Sequence, residues 1–86
     1  MNHKVKQGYQ LWVDLKVEII HYDEELVQGT VQGTEEYNVS YLGGYYRCDC
    51  PDWTYRWDKN EGGYMCKHLE AFRFEMMSYM LMRNII

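Results

Sequence analysis

Apolar and polar residues alternate along residues 9–20 of this 86-residue chain. The apolar positions of that alternation are Leu11, Val13, Leu15, Val17 and Ile19. A period of two residues is typical of a β-strand with one buried face, so we predict the first strand here. Trp12 and Ile20 interrupt the polar side, and we expect a neighbouring element to cover both.

Three shorter strands are predicted to follow the first. Apolar residues alternate along residues 25–32 and 36–42, and a Gly43-Gly44 turn leads from the latter segment into Tyr45–Cys48. Short turns of this kind join antiparallel neighbours. The first half of the chain therefore predicts a meander of antiparallel strands.

The spacing of apolar residues changes to that of an α-helix after Cys66. Leu69, Phe72, Met76 and Met80 lie three or four residues apart and share one helical face. We predict a helix over residues 67–83 and expect its methionine-rich end to belong to the core, since methionine fills irregular gaps. The predicted fold class is α+β: a small antiparallel meander, then a hairpin or loop, and one C-terminal helix.

Length and charge narrow the functional classes. The length fits a single domain, residues 1–86, of which we expect residues 1–8, including His3, to be disordered. The net charge is −4, with the acidic excess in the first half, so the chain lacks the basic character of a dominant non-specific nucleic-acid binder. We find no signal-peptide pattern and no run near the ~20 apolar residues of a membrane span. We expect an intracellular protein with no membrane partner.

All three cysteines lie in two motifs, Cys48-Asp49-Cys50 and, after fifteen intervening residues, Cys66-Lys67-His68. An odd number of thiols argues against disulfides, whereas three cysteines and one histidine complete a tetrahedral zinc shell. Cys48 and Cys50 would project from the same face of a strand. Cys66 and His68 cannot converge inside a regular helix, so we expect Cys66 just before the helix and His68 in its first turn. We predict zinc as the cofactor and these four side chains as its ligands.

This arrangement resembles the SWIM zinc finger, a family defined by CxC, a variable spacer and CxH on a strand–helix framework. The likeness covers residues 27–74. It includes Val27–Thr30 and Val31–Thr34 ahead of Tyr37-Asn38-Val39, Pro51 after the second cysteine, and Leu69-Glu70-Ala71 after the histidine. The resemblance implies zinc bound by Cys48, Cys50, Cys66 and His68, and a role in binding DNA or other proteins. Small stand-alone versions resemble proteins of archaea and their viruses, which implies a cytoplasmic or host-cell location.

The spacer between the motifs is aromatic, with Trp53, Tyr55 and Trp57 in alternation, and it predicts a small β-hairpin. Three interpretations remain open. The aromatics stack on nucleic-acid bases beside basic residues, they anchor a protein partner, or Trp53 or Trp57 shields the zinc site. The candidate interaction surface comprises Arg47, Trp53, Tyr55, Arg56, Trp57, Lys59 and Lys67.

We therefore expect a non-catalytic interaction module, either a DNA-associated regulator or a protein adaptor that does not bind DNA. The alternative from another class is a redox protein in which metal-free Cys48 and Cys50 exchange disulfides. The sequence also allows a homodimer, formed through an edge strand or through the apolar C-terminal end.

Overall fold

Helices and strands of an α+β fold make up the computed structural model, which describes residues 3–56 and 64–84, with the backbone alone for residues 83 and 84. In chain order the elements are α1 (His3–Val13), β1 (Val17–Tyr22), β2 (Leu26–Gln32), β3 (Glu36–Leu42), β4 (Tyr45–Cys48), α2 (Pro51–Arg56) and α3 (Lys67–Asn84). The predicted fold class is confirmed, including the meander and the C-terminal helix.

The sheet is antiparallel, with the strands in the order β1-β2-β3-β4. The bounds of β2, β3 and β4 agree with the predicted segments. Gly43 and Gly44, with φ of 56° and 93°, form the two-residue turn between β3 and β4. A hairpin turn of this type requires positive φ at both positions, which glycine adopts without steric cost.

The prediction of a strand along residues 9–20 is wrong in its first part. Residues 3–13 form α1, and β1 begins only at Val17. The prediction that residues 1–8 are disordered is also wrong for residues 3–8, which lie in α1. Helical spacing between Val5, Gly8 and Trp12 competes with the alternation, and packing against α3 decides between them: Trp12 stacks on Phe74 with ring centroids 5.6 Å apart.

Gly8 allows α1 to approach the first turns of α3 closely. A Cβ atom at this position would lie 2.5 Å from the Cβ of Glu70, 2.8 Å from the backbone nitrogen of Ala71 and 2.9 Å from the carbonyl oxygen of Lys67. Such distances exclude any side chain. The indole nitrogen of Trp12 then donates a hydrogen bond of 3.0 Å to Glu75, one turn further along.

Trp12 and Ile20, which interrupt the polar side of the first predicted strand, differ in burial. Trp12 is half-buried under α3, as expected. Ile20 is 61% exposed, so the expectation that a neighbouring element covers it is wrong. The register shifts between Ile19 and His21, a β-bulge that lets Ile19 and Tyr22 both face the core while Ile20 points outward.

One face of the sheet packs on α3 and forms the core. Its largest fully buried side chains include Phe72, Leu69 and Val31. Met76 is also buried, at 7% exposure, but Met80 is 43% exposed. The expectation that the methionine-rich end belongs to the core is therefore confirmed for Met76 and wrong for the last turns. None of the helices in the described residues is long and apolar enough to cross a membrane.

Candidate metal centre

Four potential metal ligands converge where β4 ends and α3 begins. One ligand atom from each of Cys48, Cys50, Cys66 and His68 lies within 4.8 Å of all the others, and all four residues are buried. The three cysteines are free thiols rather than disulfides. The predicted ligands are thus brought together in the described part of the chain.

Asp49 holds the first motif against the sheet. Its two carboxylate oxygens accept hydrogen bonds of 2.9 Å from the backbone and side-chain nitrogens of Asn38 in β3. Its own backbone nitrogen donates to the carbonyl oxygen of Asn38 at 3.2 Å. Because Asp49 and the neighbouring cysteines face opposite sides of the extended chain, this anchor turns Cys48 and Cys50 inward.

Cys50 occupies the position before α2 and caps that helix. Its sulfur accepts a hydrogen bond of 3.4 Å from the backbone nitrogen of Trp53, as a side-chain oxygen does in an ordinary N-cap. Pro51 is the first helical residue, where its missing N–H is not needed. The predicted hairpin is therefore wrong for residues 51–56, which are helical. The remainder of that predicted hairpin, residues 57–63, lies outside the described residues.

The second motif has the predicted geometry at the start of α3. Cys66 precedes the helix and His68 lies in its first turn. The carbonyl oxygen of Cys66 accepts the helical hydrogen bond from the backbone nitrogen of Glu70 at 3.0 Å. The Sγ of Cys66 lies 4.0 Å from Nδ1 of His68. The change from extended chain to helix between the two ligands is what makes them converge.

The imidazole of His68 is enclosed by Gly33 and Tyr37. A Cβ atom on Gly33 would lie 2.8 Å from Nε2 of His68, and the Tyr37 ring packs on the imidazole with centroids 4.6 Å apart. Nε2 is buried and has no hydrogen-bond partner among the described residues. A buried imidazole normally uses both nitrogens, and a bound metal ion would provide a partner for one of them.

The three thiols lie close enough to shift one another's pKa values. Contact with Cys50, then with Cys66, and burial raise the pKa of Cys48. The same contacts, first with Cys48 and then with Cys66, lower the pKa of Cys50. For Cys66, contact with Cys48 favours the thiolate, but contact with Cys50 and burial outweigh it and raise the pKa to about 11. Three thiolates this close together would repel one another, and a bound cation would offset that repulsion.

Zinc fits this set of donors. A tetrahedral zinc ion with Zn–S bonds of roughly 2.3 Å separates neighbouring sulfurs by about 3.8 Å. The observed limit of 4.8 Å between ligand atoms exceeds that value by roughly an ångström, a distance that small side-chain rotations can close. Thiolate and imidazole ligands in a closed four-residue set are typical of a structural zinc site. Backbone N–H groups of Cys50 and Trp53 donate to the sulfurs, as partners of metal-bound thiolates do.

Asp52 joins the segments around the centre. Its carboxylate contacts Lys4 of α1 at 3.3 Å, Arg56 of α2 at 3.0 Å and the hydroxyl of Tyr64, ahead of α3, at 2.5 Å. Burial opposes ionisation of this carboxyl, but the hydrogen bonds from Tyr64 and Lys4 outweigh it and lower the pKa of Asp52. The indole nitrogen of Trp53 donates to the carbonyl oxygen of Tyr64 at 3.2 Å, so α2 is tied to the segment that leads into Cys66.

The predicted interaction surface is not a single exposed patch. Trp53 is buried, at 7% exposure, and contacts Cys50, as expected if it shields the metal site. Tyr55 is 67% exposed, and Arg47 is exposed on the side of β4 that faces away from α3. The remaining members differ as well: Arg56 pairs with Asp52, Lys67 is half-buried, and Trp57 and Lys59 lie outside the described residues.

Several residues that support the centre were not identified as functional from the sequence. Gly33 and Tyr37 appeared only as part of the resemblance, and their spacing was the available signal for contact with His68. Asn38 gave no such signal, because its bond to Asp49 depends on the register of β3 with β4. Asp52 is the second residue of α2, and the Pro51-Asp52 pair was the local sign of a helix start.

Comparison with known proteins gives no match: no family model, no curated protein and no solved structure is significantly similar to this chain.

Proposed function

We propose that this chain is a zinc-stabilised finger of the SWIM type that acts as a non-catalytic module for binding another protein. The observation that carries this proposal is the buried set of four ligand atoms within 4.8 Å of one another. A catalytic zinc site keeps one coordination position for water and uses three protein ligands. Four protein ligands leave no such position, which supports a structural role for the metal.

A protein partner suits the described surface better than nucleic acid does. Trp53 is buried and cannot stack on a base. Arg56 pairs with Asp52, and exposed Asp49 lies beside Arg47, where it would repel phosphate. An apolar-lined cleft of about 440 Å³ between β4 and α2, bordered by Tyr45 and Tyr46, offers a place for an apolar side chain of a partner.

Elemental analysis and DNA titration of the purified protein test the two parts of this proposal. We expect one zinc ion per chain and no binding of labelled single- or double-stranded DNA in fluorescence anisotropy at low salt. Micromolar DNA affinity that falls steeply as salt rises would overturn the protein-adaptor proposal and favour the DNA-associated regulator.

Thiol labelling tests the metal-free redox alternative. Zinc-bound thiolates should react slowly with an alkylating reagent and quickly after a chelator is added, because metal coordination blocks the sulfur lone pairs. Immediate labelling of all three cysteines in the protein as purified, before any chelator is added, would overturn the zinc proposal.

A further inference from the structure

The helices α1 and α3 expose several large apolar side chains on the side away from the sheet, with the Arg73 guanidinium over the Phe74 ring. We define this outer helical face by Val5, Tyr9 and Val13 of α1 and Phe74, Met77 and Leu81 of α3. Tyr9 packs edge-on against Phe74, with ring centroids 5.7 Å apart, and an apolar cleft of about 280 Å³ lies between the two helices there. The other members follow at helical spacing along each helix.

The outer helical face is only partly covered. Tyr9, Val13, Met77 and Leu81 are 50%, 48%, 49% and 63% exposed in the described part of the chain. Single exposed apolar residues are common, but a row of them across two adjacent helices is typical of an interaction surface.

The two helices run in the same direction. Gly8 lies against Lys67 and Ala71 near the start of α3, while Trp12 contacts Glu75 further along. Parallel neighbours place both positive N-terminal ends together, while α1 ends beside Glu75, before the last turns of α3. The dipoles of the two helices therefore add instead of cancelling.

The charges of α1 add to this polarity instead of opposing it. The first turn holds no acidic residue and the last turn no basic one. Lys4 and Lys6 lie at the N-terminal end, and Asp14 follows the C-terminal end, so each charge is beside the end of its own helix that repels it. Lys4 pairs with Asp52. Lys6 is exposed and forms no ion pair within residues 3–56 and 64–84.

We propose that the outer helical face binds the same face of a second copy of this chain, with the two helix pairs antiparallel about a two-fold axis. In that arrangement Lys6 approaches the negative C-terminal end of the partner's α1, and Asp14 approaches its positive N-terminal end. The charge order that is unfavourable within one copy becomes complementary between two copies. The apolar residues of the face then bury each other, and Met77 adapts to the contact.

Sedimentation equilibrium of the zinc-loaded full chain tests the dimer. We expect a concentration-dependent dimer, and we expect Val13→Glu and Leu81→Glu to yield monomers because each buries an unpaired carboxylate. Leu42→Glu, at an exposed position of β3, is the matched control and should remain dimeric. A wild-type chain that stays monomeric up to on the order of 100 μM, or a dimer unaffected by Leu81→Glu, would overturn the proposal.

Lys6→Glu tests the antiparallel arrangement through two effects of opposite sign. In the monomeric Val13→Glu background it should raise the thermal stability, because an acidic residue suits the N-terminal end of α1. In the otherwise wild-type chain it should weaken dimerisation roughly two- to fivefold, since the same carboxylate then faces the negative end of the partner's α1. Unchanged or stronger dimerisation would contradict the antiparallel arrangement, and circular dichroism verifies that every variant is folded.

Discussion

The two ends of α3 are packed in contrasting ways. At the N-terminal end, the consecutive residues Leu69, Glu70, Ala71 and Phe72 are all buried, and Cys66 and His68 take part in the candidate metal centre. At the C-terminal end, Met77, Leu81 and Met82 are 49%, 63% and 67% exposed. The same helix thus passes from an enclosed segment to one with apolar residues facing outward.

This contrast shows which interactions give a small domain its shape. Specific contacts hold the buried end. The thiols lie close together, Gly8 packs against the backbone of α3, and the carboxylate of Asp52 joins the neighbouring segments. The other end has mainly non-directional apolar contacts, such as the Tyr22 and Tyr79 rings with centroids 4.7 Å apart. We therefore expect local opening to require more free energy at the metal end than at the far end.

Loss of the proposed zinc ion should have the largest effect on the difference between the two ends of α3. His68→Gln removes one ligand and leaves three thiols in a buried site, and structural zinc contributes on the order of 10 kcal/mol to the folding of small zinc modules. We expect the variant, like the chelator-treated wild type, to lose most of its helical and sheet signal in circular dichroism at 25 °C.

His21→Gln is the control for that substitution, because His21 is exposed and lies outside the ligand set. It should retain the zinc content and the thermal stability of the wild type. A His68→Gln variant that melts at the wild-type temperature would show that apolar packing alone maintains both ends of α3, which removes the contrast.

A pair of methionine truncations measures the packing difference along the helix directly. Met76 is 7% exposed and Met80, one turn later, is 43% exposed. We expect Met76→Ala to lower the free energy of unfolding by about 2–4 kcal/mol, because it leaves a cavity in the core. Met80→Ala should lower it by less than about 1 kcal/mol. Urea denaturation of the zinc-loaded protein gives both values, and equal losses would mean that the two turns are packed alike.

Gly33→Ala should weaken the candidate metal centre, although it replaces none of the four candidate ligands. The added methyl group would lie 2.8 Å from Nε2 of His68 and would force the imidazole out of its present position beside the thiols. Displacing the surroundings of a metal ligand reduces metal affinity about 10- to 100-fold, which competition with a chromophoric chelator measures. Gln32→Ala, at the exposed neighbouring position, is the control. Unaltered affinity in Gly33→Ala would show that His68 does not depend on this contact.

The sequence was most informative where one periodicity dominates. Residues 36–42 alternate along their length, and the segment after Cys66 keeps helical spacing, so β3 and α3 were predicted with nearly correct bounds. The candidate metal ligands were identifiable because their two-residue spacings have a geometric meaning on a strand and at a helix start. These features depend on residues close together in the chain.

Elements that depend on distant contacts were missed. In α1, the alternation from Leu11 to Ile19 crosses a helix end, and only packing of Gly8 and Trp12 on α3 favours the helix. In α2, the aromatic alternation that begins at Trp53 resembled a strand, whereas the Cys50 cap determines a helix. The exposure of the last turns of α3 was not predictable from spacing, because methionine and leucine occur both in cores and at interfaces.

Loss of the Asp23 charge should have a smaller effect, at the turn between β1 and β2, which lies beside the far end of α3. Backbone N–H groups of Leu26 and Glu25 donate hydrogen bonds of 2.8 Å to Asp23. The first of these bonds, with contributions from His21 and Glu25, lowers the pKa of Asp23 to about 2 from the ordinary 3.8. The ionised carboxylate therefore stabilises the turn fully above about pH 4, and that stabilisation is lost as the pH falls through about 2. Asp23→Asn tests this contribution at pH 7, where the candidate metal ligands can stay deprotonated, and should lower the thermal stability slightly because it removes the charge that accepts these hydrogen bonds. An unchanged melting temperature would mean that the hydrogen bonds of the turn do not favour the ionised form.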